Sequence, residues 1–348
     1  VSDTPGDVLP AALSRPYRYI RLSWTQEVRM LRVSMNVRPI QCYSLSVMDE
    51  LQRVFDDIAD NPGLVRHYAV TSDVPGVFNF GGDLALFVLL VRARDVESLQ
   101  LYGRRCVDLV WWVDQAFKHG LTTTVLAQGD TLGGGLESVL PFDNVIFERS
   151  AQAGFPEVLF NLFPGMGAWQ FTARRAGMQV ADEMVMSGRL YNADELQQRG
   201  LVDFVVADGE GEAALEAVVR LLDRNEREGL ARAPRRDLSR AAQPIAHHVP
   251  VDEEHPRYRG IQAAVTGRRM AFPLSYDSLI RVVDHWAETA LTLTDRDLRL
   301  MERLARAQMR KVGGADEGAV EEIKRLELDT AWGEERTGIS QWAPLTGF

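Results

Sequence analysis

From Tyr17 to Val37 polar and apolar residues alternate, most cleanly at Leu31, Val33, Met35 and Val37, with a polar break at Thr25 to Glu27. A period of two marks strands with one buried face, so this stretch predicts a β-hairpin. After Pro39 the period lengthens. Val47, Leu51, Val54, Phe55 and Ile58 recur at three- and four-residue spacing up to Asn61-Pro62-Gly63, which predicts a helix. His67 to Ser72 then reads as a short strand, leading through Asp73-Val74-Pro75-Gly76 into Val77-Phe78-Asn79-Phe80-Gly81-Gly82-Asp83-Leu84.

The alternation of short strands and helices continues along the chain. Asp83 sits where a helix should begin, as an N-cap for the long apolar and basic segment at 84–120. Thr122 to Gln128 predicts a strand ending at Gly129-Asp130, and Gly133-Gly134-Gly135 opens another helix. Strands are expected at Asn144 to Glu148 and Ala151 to Gly154, the second running into Phe155-Pro156-Glu157. A Pro-Gly turn and a helix follow, then two short helices and a strand at Val202 to Val206, with Asn192 to Glu195 as a helix start and Gly200 as a left-handed C-cap. A helix over Glu212 to Arg224 closes this region.

Residues 225–272 carry prolines and charges with little periodicity, and read as an inserted segment or interface arm. Helical order returns with Leu279, Val283, Trp286 and Ala290 on one stripe. Beyond Thr294-Asp295, Leu298, Met301, Leu304 and Ala305 face inward. The expected organisation is a core at 1–224, an irregular insertion at 225–272, C-terminal helices at 273–312 and a tail at 313–348.

Composition narrows the class. The 348 residues are 46% hydrophobic and 25% charged, enough for a large core, and the formal net charge of −10 argues against wholesale attraction to nucleic acid or to an anionic membrane. No apolar run reaches membrane-spanning length and the N-terminus has no signal-peptide pattern, so a cytoplasmic protein is expected. Cys42 and Cys106 lie far apart without metal spacing and read as two buried thiols of a reducing compartment. His247-His248 lacks a clear third ligand, so no metal or cofactor is expected.

The chemistry concentrates between Leu121 and Glu157. A mononucleotide loop would continue Gly-Lys-Ser/Thr, and a dinucleotide fingerprint would place its glycines directly after the strand; Leu136-Glu137 after the glycine run satisfies neither. An adjacent carboxylate would also repel phosphate. Amides at such a turn suit a polarised carbonyl oxygen, although the glycines could equally serve close packing of helix on strand. Glu157 follows Glu137 after two strands able to return the chain to the same edge, so both carboxylates can face one cavity.

Together these segments resemble the crotonase, or enoyl-CoA hydratase/isomerase, superfamily, through VFNFGGDL, AQGDTLGGGLE, GFPEVLFNLFPGMGA and SGRLYNADELQQRGLVD. Asn79-Phe80, Phe163-Pro164-Gly165-Met166-Gly167 and HWAETALTLTDRDLRLMERLARAQ are most similar to its diffusible-signal-factor synthase branch. The resemblance implies an α/β (α+β) fold, a spiral of ββα units in two roughly perpendicular sheets with C-terminal helices, usually assembled as trimers or dimers of trimers. It places the thioester-binding amides on Gly82 and Gly134, the catalytic acids on Glu137 and Glu157, and the acyl pocket on Met166, Trp286 and Leu304. It implies dehydration of a 3-hydroxyacyl thioester on acyl carrier protein, then hydrolysis to a free 2-unsaturated fatty acid. An enoyl-CoA hydratase or isomerase acting on coenzyme A thioesters is the alternative. A docking protein without catalysis, binding a regulatory receiver domain, is a third reading, which the presence of both glutamates disfavours.

Overall fold

A computed structural model describes residues 7–227, 274–314, 318 and 320–325. The expected insertion therefore lies outside the described residues apart from 225–227, together with His247 and His248, as does most of the tail beyond 314.

Among the described residues, ten strands divide between two sheets. The six-stranded sheet has the order β1-β2-β3-β5-β7-β10, from Ile20–Thr25 (β1), Met30–Met35 (β2), His67–Ser72 (β3), Thr122–Ala127 (β5), Asn144–Glu148 (β7) and Phe204–Val206 (β10). The smaller sheet orders Gly76–Asn79 (β4), Gly129–Leu132 (β6), Gln152–Gly154 (β8) and Leu190–Asn192 (β9). β1 and β2 form the expected antiparallel hairpin, whereas β2, β3, β5, β7 and β10 run parallel. Each ββα unit thus adds one strand to each sheet: β3 and β4 precede α2 (Leu84–Ala93), and β5 and β6 precede α4 (Gly134–Val139). That is the crotonase arrangement.

The larger sheet is covered on both faces, and its middle strands β3, β5 and β7 are accordingly buried at every residue. α1 (Leu45–Asp60) packs with α3 (Val96–Gln115), and α8 (Gly211–Arg227) lies against β5 and β7. The stretch expected to continue as a helix from Asp83 is broken at Arg94. Its φ of 55° terminates α2, and the Asp95 side chain then accepts from the Ser98 amide to start α3. Asp83 itself is the N-cap of α2, accepting from the Leu86 amide.

Two helices, α9 (Tyr276–Ala290) and α10 (Asp295–Val312), close the structure over α3 and α2 respectively. The stripe Leu279, Val283, Trp286 and Ala290 is buried, as are Leu298, Met301, Leu304 and Ala305, and all belong to the same hydrophobic cluster as the ββα units. α10 starts with a capping box, in which the Thr294 hydroxyl accepts from the Asp297 amide and Asp297 Oδ2 accepts from the Thr294 amide. The other Asp297 oxygen accepts from Asn161 Nδ2 at 2.8 Å, tying the start of α10 to the turn that carries Glu157.

Replacing Thr294 by Ala is expected to cost about 1 kcal/mol of unfolding free energy, and Asp297→Ala more, because it also strands the Asn161 amide. Urea denaturation of both variants measures this. Equal, near-zero losses would mean that the box does not anchor the helix.

Candidate active site

The site begins with a strand register. In the parallel β4–β6 pair Gly76 faces Gly129 and Val77 faces Asp130, yet Asn79 faces Thr131, so β4 carries one extra residue as a bulge. Three residues beyond the last matched pair stand Gly82 and Gly134. The bulge therefore brings these two residues level as both chains leave the sheet. Among the described residues none accepts a hydrogen bond from either amide.

The two turns are in backbone contact. A Cβ on Gly81, whose φ is +83°, would lie 2.6 Å from the Gly134 nitrogen, and one on Gly135 would overlap the Asn79 carbonyl oxygen. Only glycine permits this approach. Side chains then lock it. Asn79 Oδ1 accepts from the Gly81 amide at 2.7 Å. Tyr43 spans both turns: its amide donates to the Gly81 carbonyl at 2.8 Å, and its hydroxyl donates to Ser138 Oγ, which in turn donates to the Gly135 carbonyl. The Tyr102 hydroxyl accepts from the Asp83 amide and donates to the Tyr43 carbonyl. At the far end of α4 the fully buried Arg175 guanidinium donates to the carbonyls of Leu140, Phe142 and Leu201.

Both glutamates face the same cavity as these amides. It encloses about 670 Å3 counting its mouth, within the range of small-molecule sites. All seven residues singled out in the sequence line it: Gly82, Gly134, Glu137, Glu157, Met166, Trp286 and Leu304. Met166 sits over Gly134, where a Cβ would come within 2.8 Å of its Sδ, and the Trp286 ring packs against Gly165 and edge-on to Phe87. Residues that the sequence reading did not assign to the pocket also line it, among them Phe87, Tyr102, Cys106 and Gln308. Their helical spacing signals burial, and spacing alone cannot tell a core face from a pocket wall.

The two carboxylates differ in what holds them. Glu137 Oε1 accepts from the amides of Met166 (2.7 Å) and Ala168 (3.0 Å), where the Phe163–Gly167 turn enters α5 (Ala168–Ala176). Glu157 stands beside the positive-φ turn residue Gly133, with Oε1 2.5 Å from where a Cβ would project, and its Oε2 is sealed from solvent without a hydrogen-bond partner among the described residues. Burial raises both from the ordinary carboxylate range. For Glu137 the two amides oppose it and leave a value of about 7. For Glu157 burial is the larger cause and the neighbouring Glu137 charge adds to it, so this group rises well above its ordinary value. The two carboxyls share one buried site and titrate as a pair, with Glu157 the more strongly raised of the two.

Comparison with known proteins agrees with this architecture. The family described as enoyl-CoA hydratase/isomerase matches residues 29–233, more than half of the chain. Enoyl-CoA isomerase/hydratase fer4 of Mycosarcoma maydis is 35% identical over 37% of this chain and 44% of its own length. Human methylglutaconyl-CoA hydratase, mitochondrial, is 30% identical over 45% of this chain and 44% of its own. The chain thus spans under half the length of each of these curated relatives. Among solved structures, an enoyl-CoA hydratase/isomerase from Xanthobacter autotrophicus Py2 superposes with a TM-score of 0.60 at 17% identity, covering 85% of this chain and 96% of that one. DspI of Pseudomonas aeruginosa does so at 0.55 and 22%, covering 72% and 98%. At such identities the structures speak for the fold. Among the described residues no helix is long and apolar enough to cross a membrane, and no cluster of His, Cys, Asp and Glu could hold a metal.

The protonation of Glu157 predicts a stability effect. In the unfolded chain this group releases its proton near the ordinary glutamate value, while the folded state retains it to higher pH. Folding is therefore opposed increasingly as pH rises through that interval. Glu157→Gln, which is neutral at every pH, should melt higher than the wild type at pH 8, and the difference should shrink toward pH 5. Thermal scans across this range check it, and a wild type more stable at pH 8 would contradict the raised value of Glu157.

Proposed function

The chain belongs to the enoyl-CoA hydratase/isomerase family, and from that premise we propose that it interconverts 3-hydroxyacyl and 2-enoyl thioesters. The observation that carries the reading is the meeting of two unengaged amides and two unequal carboxylates in one largely apolar cavity. The amides of Gly82 and Gly134 take the thioester oxygen. As the C2 proton leaves or arrives, negative charge develops on that oxygen, and two fixed donors stabilise it; loss of one donor of this kind costs on the order of 3 kcal/mol of barrier.

In hydration, ionised Glu137 takes a proton from water as its oxygen bonds to C3, and protonated Glu157 delivers its proton to C2. Dehydration runs the same path backward, with Glu157 removing the C2 proton and Glu137 protonating the departing hydroxyl. Both directions need one proton on the pair and differ only in which oxygen starts with it.

The finer reading is a signal-synthase-like enzyme that dehydrates an acyl carrier protein substrate and then hydrolyses the thioester. Water activated by a glutamate attacks the carbonyl held by the amides, and the carrier thiol leaves with a proton. Its support is the resemblance of the Asn79-Phe80, Phe163–Gly167 and α9–α10 segments together with the position of Met166, Trp286 and Leu304 on the cavity wall. In that reading the protein acts as a trimer or dimer of trimers. On coenzyme A substrates the same site supports the plain hydratase reaction.

Purified protein is expected to convert 3-hydroxydodecanoyl and 2-dodecenoyl thioesters into one another, with coenzyme A and carrier-protein forms assayed side by side. Free dodecenoic acid, followed by mass spectrometry, reports the hydrolytic step, and its absence removes that step alone. Glu137→Gln and Glu157→Gln should each lower turnover by ~10²–10⁴-fold. Unchanged turnover in both would sink the site as drawn. The pH profile of hydration should be bell-shaped. Activity falls as pH drops through about 7, where Glu137 takes up a proton, and again where Glu157 loses its own at higher pH.

A further inference from the structure

One polar group in the cavity has no part in the chemistry above. Gln308, on α10, is 2% exposed and lines the cavity, and its Oε1 is shielded from solvent with no hydrogen-bond partner among the described residues. It shares its helix face with Met301 and Leu304, both apolar wall residues. An amide oxygen buried without a partner is costly, and that cost is relieved when a ligand brings a donor.

Its place along the cavity follows from how α10 crosses α2. Arg92 near the end of α2 pairs with Glu302 at 2.7 Å. At the opposite end of α10, Lys311 Cε comes within 3.7 Å of where a Cβ on Gly76 would stand, and Arg38 donates to the Val312 carbonyl. Passing from Glu302 to Lys311 therefore runs toward β4 and the start of α2, where Gly82 lies. Gln308 is one turn, about 6 Å, beyond Leu304 in that direction. Gln308 thus extends the wall one turn past the apolar residues, and its orphan oxygen is the polar atom on that face of α10.

We infer that Gln308 is a specificity determinant that accepts a hydrogen bond from an N–H or O–H donor of an acyl thioester bound in this cavity. This rests on the thioester reading of the site. Two parts of such a substrate carry the donor: the amide of a pantetheine arm on one side of the thioester, and a hydroxyl at C3 on the other. Each meets an acceptor on a face of α10 that otherwise offers the carbon and sulfur of Met301 and Leu304.

The test is binding of unreactive thioethers to the full-length protein by calorimetry. Dodecyl pantetheine thioether carries amide donors, ethyl 3-hydroxydodecyl thioether carries the hydroxyl, and dodecyl ethyl thioether carries neither. The wild type should bind at least one donor-bearing ligand about 10-fold tighter than the bare thioether. Gln308→Met, which keeps the side-chain length and removes the acceptor, should bind the bare thioether as the wild type does and lose that preference. The ligand whose advantage disappears identifies the donor. A wild type without any donor preference overturns the inference, needing no variant, and so does a preference that survives in Gln308→Met. Because no turnover is measured, an inactive protein that still shows the contrast would count against the proposed reaction and not against Gln308.

Discussion

The extra residue in β4 is the constraint on which the site depends. Parallel strands advance together, so residues equally far beyond a matched pair leave the sheet side by side. With the bulge between Val77 and Asn79, the partners at that exit are Gly82 and Gly134. Without it, Gly82 would be level with Gly135. Every other feature of the site preserves this alignment: Asn79 holds the first turn, Tyr43 spans both, and Tyr102 fixes Tyr43 to Asp83. The hydroxyls and amides involved are buried, where a lost partner is costly, so the network holds the two turns in one geometry.

The alignment explains why the glycines occur where they do. Two backbones that touch leave no volume for a Cβ, and the space saved is taken by Met166 over one turn and by Glu157 beside the other. Close packing and ligand binding, which the glycine run left as alternatives, are consequences of one approach. The carboxylates then diverge through unequal solvation. Glu137 gains two amides from the Phe163–Gly167 turn, while Glu157 has burial and a like charge to contend with. A proton confined to one member of a pair is what acid-base chemistry across two adjacent carbons requires.

α9 and α10 convert this half-open arrangement into a cavity. They share the core of the ββα units, and the Asn161–Asp297 bond joins the α10 cap to the Glu157 turn. The wall they supply is apolar except at Gln308. Movement of α10 would thus change the acyl wall and the surroundings of Glu157 together.

The sequence by itself determined what depends on neighbours along the chain. Alternation made the β1–β2 hairpin legible, three- and four-residue spacing made α1, α9 and α10 legible, and Asp83, Asn192 and Thr294 marked helix starts because capping is local. The pairing of Gly82 with Gly134 entered through resemblance to a family, whereas Glu137 and Glu157 could be referred to one cavity by the two strands between them. Tertiary structure alone decided the rest. β6 and β9, three or four residues long and containing Gly, Asp or Asn, become strands because the smaller sheet supplies their partners. The break at Arg94 is a left-handed residue inside an otherwise continuous helical pattern. The stretch from Gly133 to Glu137 carried the chemistry in outline, but the register of β4 on β6 made it a site, since pairing between strands is set by contacts across the sheet that no single segment encodes.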